Sequence, residues 1–435
     1  MSAAGRFYFS LPVWGETYVA RFLDLALPTW LAPGNLGAFP WAGDSVCEIF
    51  TRAEDAERMR ADPRLAALGR KLALRFHPID ALIRESKFGV FTDAQRIAVG
   101  NCDALGAAHF IMTADLLYSD GSIRHAAESI VAGRQAVMVP GLRSVLEDMA
   151  PILRAAAGAD GAIALPGRAL ARLGLDRLHP QSRGWFWDSE SFDRLPPYLL
   201  WRAGADAVLL RGFPLHPLAI KPVRPGIALD YIFDQDYLAA AAPDPGRIEV
   251  VADSDRALLF EVTERDRFDA FIAPHRADVA DLAYWAEWAF NRLHRQFGRR
   301  SVRIHAGTTS EDEWAAAEAQ AEATVEAILK LLAMPDWYLF QVDRRRLRLR
   351  LRRRYRFADA ALRNLPLVMP AGDIGQPLAL HIDALKRVAS PRDALLAQYL
   401  AVDEWQPAAR LTDPAARAQR LRQHEAVCKL LGTPA

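Results

Sequence analysis

Two carboxylates stand close together in the segment Asp115–Ser122, which reads DLLYSDGS. The apolar run His109–Ala114 before it predicts a strand that delivers Asp115 to its carboxyl end. Asp120 follows on a turn, where the next glycine allows close backbone approach. Hard carboxylate oxygens suit Mg²⁺ or Mn²⁺ bridging to a diphosphate, so Asp115 and Asp120 are expected to hold such an ion. The alternative is a helix cap at Asp120 or Ser122, with Asp115 in a turn.

Two other segments place polar side chains beside expected strands. His216 lies in an apolar setting, where it is a metal ligand, a base, a phosphate contact or a structural residue. Three aspartates, Asp230 first among them, fall in Leu229–Leu238 with a spacing like that of a Ca²⁺ loop. The glycine and the distal glutamate of such a loop are missing, so the segment is an acidic wall of an acceptor site or the start of a helix.

The segment Arg344–Arg356 contains nine arginines and no acidic residue, so the rest of a chain of formal charge +1 sums to 1 − 9 = −8. Leucine alternates with arginine over Leu347–Leu351, which is the period of a strand. An arginine face of this kind could meet anionic lipid headgroups, a phosphorylated acceptor or nucleic acid. The alternative is a solvated or salt-bridged edge strand.

Strand and helix patterns alternate over the first 150 residues, which predicts βαβ units and a doubly wound, mostly parallel α/β sheet. Ligands of such sheets bind at the carboxyl ends of the strands. Helical patterns dominate the C-terminal part of the chain, over Glu311–Ala333, Pro391–Leu400 and Pro414–Leu431, and Ser310 with Glu313 predicts a capping box for the first of these. In the first part of the chain, Ala53–Lys71 predicts one amphipathic helix, and Thr92 with Gln95 predicts a capping box for another that reaches about Ala107. We therefore predict an α/β domain over residues 1–240 and a mainly helical domain over 241–435. The predicted strands are Arg6–Leu11, Ser45–Thr51, Leu72–Phe76, His109–Ala114 and Gln135–Val139.

Composition bounds the class of protein. The chain has 435 residues, of which 51% are hydrophobic and 25% are charged, so it is globular rather than disordered. The balanced charge gives no reason to expect nucleic acid as a partner. Neither a run of about 18 apolar residues nor a charged leader occurs, which predicts a cytoplasmic protein without a transmembrane helix. Signatures of P-loop NTPases, dinucleotide-binding folds, GxSxG hydrolases and HExxH zinc proteases are also missing.

The order of three motifs carries a resemblance. The chain opens with FYFSLPVWGETY, continues with an EIFT strand, and reaches an apolar strand that ends in DLLYSDG. This order resembles the GT-A-type nucleotide-sugar glycosyltransferases, in particular uncharacterised bacterial members, over roughly residues 5–240. The resemblance implies a GT-A-like fold and transfer of a sugar from a nucleoside diphosphate to an acceptor, with Mn²⁺ or Mg²⁺ on the diphosphate.

Site residues follow from that resemblance by position. Asp115 matches the first carboxylate of the DxD motif, but Leu117 stands where the second is expected, so Asp120 is its substitute or the metal is dispensable. A later histidine, His216, is the third metal ligand. The residues nominated to line the nucleotide are Ser10, Trp14, Tyr18, Thr51, Asp55 and Asp120. The residues nominated as catalytic base in an inverting reaction are Asp188, Glu190 and Asp230.

The function predicted from the sequence is therefore glycosyl transfer from a nucleotide sugar to an unknown acceptor, such as a surface polysaccharide or a glycoprotein. The alternative is a non-catalytic binding or scaffold protein of the same fold, which the broken DxD motif favours. In either case Arg344–Arg356 offers a contact for an anionic membrane surface, at the inner face of the membrane.

Overall fold

The computed structural model describes residues 5–332 except 85, 194–195, 231, 270–271, 274–275, 278, 280–281, 284–285 and 287–289, together with Pro414. Two units are distinguished: the first comprises Met1–Ala277 and Phe290–Val325, and the second Asp278–Ala289 and Glu326–Ala435. The arginine-rich segment Arg344–Arg356 and the predicted helix Pro391–Leu400 lie outside the described residues, as does Pro414–Leu431 apart from its first residue. None of the helices in the described ranges combines the length and the apolar character needed to span a bilayer.

The described strands and helices alternate in the N-terminal part of the first unit, and several strands follow one another directly in the rest. The strands are β1 (Phe7–Pro12), β2 (Val46–Thr51), β3 (Ala73–Pro78), β4 (Ala108–Ile111), β5 (Leu116–Tyr118), β6 (Ala136–Val139), β7 (Gly141–Val145), β8 (Phe192–Asp193), β9 (Tyr198–Arg202), β10 (Ala207–Gly212), β11 (His216–Ile220), β12 (Ile248–Val250), β13 (Leu259–Thr263), β14 (Ile272–Ala273) and β15 (Ser301–His305). The helices are α1 (Glu16–Arg21), α2 (Leu27–Trp30), α3 (Ala53–Arg60), α4 (Pro63–Gly69), α5 (Lys87–Leu105), α6 (Ser122–Val131), α7 (Leu146–Ala156), α8 (Gly167–Asp176), α9 (Pro180–Arg183), α10 (Leu238–Ala241), α11 (Arg292–Phe297) and α12 (Glu311–Leu332).

The main sheet has seven strands in the order β12-β6-β11-β4-β1-β2-β3. Neighbouring strands are parallel except at β11, which runs antiparallel to β4 and to β6. The expected doubly wound, mostly parallel sheet is thus confirmed. Because β11 is reversed, its first residue, His216, lies opposite Val139 at the carboxyl end of β6.

The central strands are buried on both faces, as a sheet covered by helices on both sides requires. All six residues of β1 are buried, with Phe7, Phe9 and Leu11 in one core cluster and Tyr8 in the cluster that includes the apolar face of α5. By contrast, none of the residues of the edge strand β3 is fully buried. This burial pattern explains why β1 appears in the sequence as an apolar run instead of an alternating one.

A smaller sheet has three strands, in the order β5-β13-β7. Strand β13 is antiparallel to β5 and parallel to β7, so that Glu261 pairs with Leu116 on one side and with Arg143 on the other. The main sheet also continues past residue 240, because β12 pairs with β6. Residues 241–263 therefore belong to the same unit as the α/β elements before them.

Several helices begin or end at residues other than those predicted from the sequence. The expected single helix Ala53–Lys71 divides into α3 and α4, because Asp62 caps α4 and the following proline occupies its first position. The expected cap at Thr92 is wrong, since α5 begins after Ser86, whose hydroxyl accepts from the Gly89 amide at 3.1 Å. The predicted capping box of α12 is confirmed, since Ser310 and Glu313 exchange hydrogen bonds.

Candidate functional site

A cavity of about 360 Å³ opens at the carboxyl edge of the main sheet. It lies where β4 and β6 end and where the reversed strand β11 begins, which is where doubly wound sheets bind ligands. Its size is at the lower end of the usual range for small-molecule sites. The polar residues that line it are Thr92, Gln95, Thr113, Asp115, Arg143, Tyr198, His216, Asp234 and Glu261.

The small sheet places two carboxylates and a guanidinium side by side in this cavity. Asp115 immediately precedes β5, and its carbonyl oxygen accepts from the Val262 amide of β13 at 2.9 Å. Glu261, one residue before Val262, lies opposite Arg143 on β7. Arg143 Nε donates to Glu261 Oε1 at 2.9 Å. The cavity wall therefore carries a row of Asp115, Glu261 and Arg143 that is fixed by strand register.

The pKa values of the two carboxylates are shifted in opposite directions. Burial raises the pKa of Asp115, the nearby Glu261 raises it further, and Arg21 only partly offsets these effects. Burial would also raise the pKa of Glu261, but Arg143 and the Thr263 hydroxyl outweigh it, so that this pKa is lowered. Glu261 is thus held as an anion by its arginine. Asp115 is the carboxylate of the pair that is easier to protonate.

Arg143 keeps part of its hydrogen-bonding capacity for a ligand. Nε is bound to Glu261, and Nη1 donates to Gln181 Oε1 at 2.6 Å. Gln181 is itself anchored, since its amide nitrogen donates to the buried Asp193 at 2.9 Å. Among the described residues, Arg143 Nη2 has no acceptor. A guanidinium that is positioned on one edge and open on the other is suited to bind phosphate oxygens.

Asp234 forms another acidic part of the cavity wall. It lies on a π-helical turn, Phe233–Tyr237, that continues into α10. Burial raises the pKa of Asp234 to about 6. Arg96 of α5 braces the preceding segment, donating from Nε to the Leu229 carbonyl oxygen at 2.8 Å. This carboxylate can therefore change protonation near neutral pH inside a braced wall.

His216 lines the same cavity, as its place at the start of β11 requires. Its Nε2 lies 3.2 Å from the Ile111 carbonyl oxygen, to which a neutral ring donates from that nitrogen. Burial lowers the pKa of His216 to about 4, so the ring is neutral at pH 7. Its Nδ1 then carries a lone pair and can accept a hydrogen bond or bind a metal.

The three nominated metal ligands are not brought together as a set. Asp115 and His216 share the cavity, whereas Asp120 does not line it. Asp120 lies beyond the other end of β5, where its Oδ1 accepts from the Gly34 amide at 2.6 Å. No group of three or more histidine, cysteine, aspartate or glutamate side chains that could hold a metal ion occurs within the described ranges.

The residues nominated for the nucleotide hold the protein's own structure together. Ser10 is buried behind the cavity wall, with Oγ 3.1 Å from Gln95 Oε1 and 2.7 Å from His109 Nε2. Asp55 accepts from the Gly15 amide at 2.8 Å and so fixes the loop after β1. None of the six nominated residues lines the cavity, and their role in nucleotide binding stays a prediction.

The other three nominated residues lie around that first loop. Trp14 packs against the core cluster that includes the buried face of α5. Tyr18 accepts from Arg267 at 2.9 Å, and Arg21 lies 5.1 Å from the centre of its ring. Thr51 is buried at the end of β2, and its hydroxyl has no partner among the described residues.

The three acids nominated as catalytic base lie at exposed positions. Asp188 is 3.7 Å from Arg202 Nε, and Glu190 is 3.3 Å from Arg276 Nη2. Asp230 contributes its backbone carbonyl to Arg96. None of the three lines the cavity, and their catalytic role stays a prediction.

Sequence reasoning did not select Glu261 or Arg143 for the site, and it included Asp234 only as a member of the acidic segment Leu229–Leu238, from which Asp230 was nominated. A usable signal was present for the first, which is the one charged residue in the buried strand LFEVT. The signal for Arg143 was weaker, because its strand GLRSV was not recognised as one. Their pairing depends on the register of β7 and β13, which local sequence does not reveal.

Comparisons with known proteins add little to this geometry. No protein-family model matches the chain, and no curated protein matches it. Among solved structures, one match is the mannosyltransferase PcManGT from Pyrobaculum calidifontis in complex with GDP-Man and Mn²⁺. It is 13% identical, with 98% of this chain and 87% of that chain covered, at a TM-score of 0.30. At that score the likeness supports no inference about the site.

Proposed function

We propose that this chain transfers a glycosyl group from a nucleoside diphosphate sugar to an acceptor. The observation that carries the proposal is the cavity at the carboxyl edge of the sheet, where Arg143 and the Asp115–Glu261 pair meet. The expected location in a doubly wound sheet and the resemblance of the three motifs support it. The acceptor is a hydroxyl-bearing molecule of a class that neither the sequence nor the cavity selects.

Arg143 is the residue proposed to bind the diphosphate. Glycosyl transfer breaks the bond between the anomeric carbon and the diphosphate, so negative charge grows on the leaving group. The open side of Arg143 can donate hydrogen bonds to those oxygens, while Glu261 and Gln181 keep it in place. This positioning is useful because a guanidinium that is already oriented toward the diphosphate needs no reorganisation during the reaction.

The cavity offers few protein ligands to a divalent cation. Glu261 Oε1 accepts from Arg143 and from Thr263, so Asp115 is the less engaged carboxylate of the pair and the one proposed to bind a cation. Mg²⁺ is often held by one or two carboxylates and completed by water and substrate phosphates. When bound, such an ion would neutralise part of the diphosphate charge. Asp115 would hold it, and the Nδ1 atom of His216, which lines the same cavity, is a further ligand available to the ion.

Asp234 is proposed as the base that accepts the acceptor's proton. It lines the cavity, and its pKa of about 6 suits a group that must be ionised yet basic near neutral pH. The exposed acids Asp188, Glu190 and Asp230 remain the bases predicted from the sequence. An inverting reaction requires a base on the face of the sugar opposite the leaving group. Asp234 is favoured because it lines the cavity and they do not.

The test is donor binding and turnover with matched variants. We expect one nucleotide sugar in a panel to raise the melting temperature; at about 100 times its dissociation constant it adds roughly 2.7 kcal/mol of stability. We expect Asp115→Asn to lose at least 100-fold in release of the free nucleoside diphosphate, with its melting temperature kept. Asp120→Ala is the control, and it should lose stability through the Gly34 contact but keep activity.

The outcomes separate the alternatives. Near-wild-type turnover by Asp115→Asn would rule out the proposed site. Donor binding without turnover by any acceptor would favour the non-catalytic binding protein of the same fold. A shift that EDTA removes would support the cation at Asp115, whereas a shift indifferent to EDTA would keep the transferase and discard the metal.

A further inference from the structure

A second cavity, of about 320 Å³, lies at the opposite edge of the main sheet. Arg6 comes directly before β1, Gln135 before β6 and Arg247 before β12, while Lys221 directly follows the reversed strand β11. All four therefore stand at the amino edge of the parallel strands. The cavity shares no lining residue with the one at the carboxyl edge.

The lining of this second cavity is strongly cationic. It contains Arg6, Arg134, Lys221 and Arg247 and no aspartate or glutamate. Asp103 and Glu249 are near two of these cations but do not line the cavity. Asp103 accepts from the Gly226 amide at 2.7 Å, and Glu249 is bound to His125 at 2.9 Å. Both acids are thus engaged elsewhere, and the cavity keeps an excess of positive charge.

The four cations are positioned by backbone carbonyl oxygens. Arg134 donates to the Gly246 carbonyl at 2.7 Å, and Arg247 donates from Nε and Nη2 to the Gly133 carbonyl at 3.0 and 2.7 Å. These reciprocal bonds brace the two loops against each other. A guanidinium has five N–H donors, so both arginines retain several for a ligand. Lys221 and Arg6 each have one such bond, to the carbonyls of Gly106 and Leu105.

The cavity also has an apolar part. Val131 and Val223, which also line the cavity, are 40% and 48% exposed. The site thus combines cations and an apolar rim.

We propose that this amino-edge cavity binds a phosphate group that carries an apolar or ester portion. The cations bind the phosphate oxygens, and the two valines contact the rest of the ligand. A free phosphorylated metabolite and the headgroup of an anionic phospholipid share this chemistry. The inference is independent of glycosyl transfer, because it uses none of the residues of the carboxyl-edge cavity.

The test measures binding of inorganic phosphate to the full chain by calorimetry at constant ionic strength. We expect binding that weakens at least tenfold in Arg134→Gln and in Arg6→Gln. Arg6 has one long contact, at 3.3 Å, so Arg6→Gln keeps the test valid if Arg134→Gln fails to fold. The matched control is Arg70→Gln, an exposed arginine outside the cavity. Arg143→Gln is the second control, because phosphate held at the carboxyl edge would respond to that change instead.

Vesicles separate the two sources of phosphate. Cosedimentation with vesicles containing phosphatidylglycerol, but not with pure phosphatidylcholine, and its loss in Arg6→Gln would identify a lipid headgroup. Calorimetric binding without cosedimentation would identify a free phosphorylated metabolite. The proposal is overturned if neither probe binds at millimolar phosphate, or if Arg6→Gln and Arg70→Gln bind equally well.

Discussion

At the scale of single residues, the carboxyl-edge cavity contains two neighbouring carboxylates that need different environments. Asp115 must remain available to a ligand while Glu261 is neutralised by Arg143, and strand register assigns these different environments. A carboxylate pair whose members are held at different pKa values can do two different tasks. The two carboxylates therefore differ in the residues that surround them, although their side chains are of the same chemical type.

Asp234 gives a prediction in which activity and stability move in opposite directions. Its pKa in the folded chain is about 6, above the ordinary value of 3.8, so the folded state binds the proton more tightly than the unfolded state. The contribution of Asp234 to the free energy of unfolding should therefore fall as pH rises from about 4 to 6. Asp234→Asn should remove that loss and stabilise the chain at pH 7 by about 1–3 kcal/mol, as measured by urea unfolding.

The same variant should lower kcat at least 100-fold while donor binding is kept, because a base acts on the acceptor rather than on the donor. Asp230→Asn is the matched control, since Asp230 lies on the same segment at an exposed position. Normal kcat in Asp234→Asn together with a loss in Asp230→Asn would return the role of base to the residue that the sequence predicted.

At the scale of elements, β1, β4 and α5 are joined by buried polar contacts behind the cavity wall. His109 of β4 lies 2.7 Å from Ser10 of β1, and Ser10 lies 3.1 Å from Gln95 of α5, which lines the cavity. Burial lowers the pKa of His109 to about 3. The folded state therefore keeps this histidine neutral over most of the acidic range.

This contact predicts a loss of stability in mild acid. The unfolded chain binds a proton at His109 below about pH 6.5, whereas the folded chain does so near pH 3. The contribution of His109 to the free energy of unfolding should thus fall as pH drops below 6.5, by about 2 kcal/mol at pH 5. In His109→Gln the loss of unfolding free energy between pH 8 and pH 5 should be smaller by about 2 kcal/mol than in the unchanged chain, as checked by denaturant unfolding. The buried His216, whose pKa is also lowered, keeps its own contribution. His77→Gln, at a half-buried histidine of β3, should leave the pH dependence of the unchanged chain.

Elements were more predictable than the contacts between them. The strands β1, β2, β4 and β6 appear in the sequence as apolar runs because both of their faces are buried. The capping box at Ser310 is a local signal, and it could be recognised without the fold. The reversal of β11 and the pairing of Glu261 with Arg143 arise from long-range packing, so the residues that they bring together could not be identified.

At the scale of the whole molecule, the main sheet draws on distant parts of the chain. Strand β12 pairs with β6, and β13 joins β5 to β7. A chain that ends at the sequence-predicted boundary, residue 240, therefore lacks one edge of the main sheet and the middle strand of the small one. We expect such a truncated chain to melt without a cooperative transition in calorimetry.

The comparison for that truncation is the full chain, which should melt cooperatively under the same conditions. A sharp transition in the chain ending at residue 240, with a melting temperature near that of the full chain, would contradict the view that 241–263 complete the fold. It would also support the domain division that the sequence predicted.

The reversed strand β11 has a mechanical consequence. It places His216 at the carboxyl-edge cavity and, one residue after its other end, Lys221 at the amino-edge cavity. The strand is about 16 Å long at roughly 3.3 Å per residue. Its register with β6 shifts between Pro217 and Ala219, so it is irregular midway. Strand β11 thus contacts both cavities. If a ligand in one cavity shifted β11 along its axis, each ligand would change the affinity of the other cavity for its own ligand by the same factor, since a coupling free energy is reciprocal.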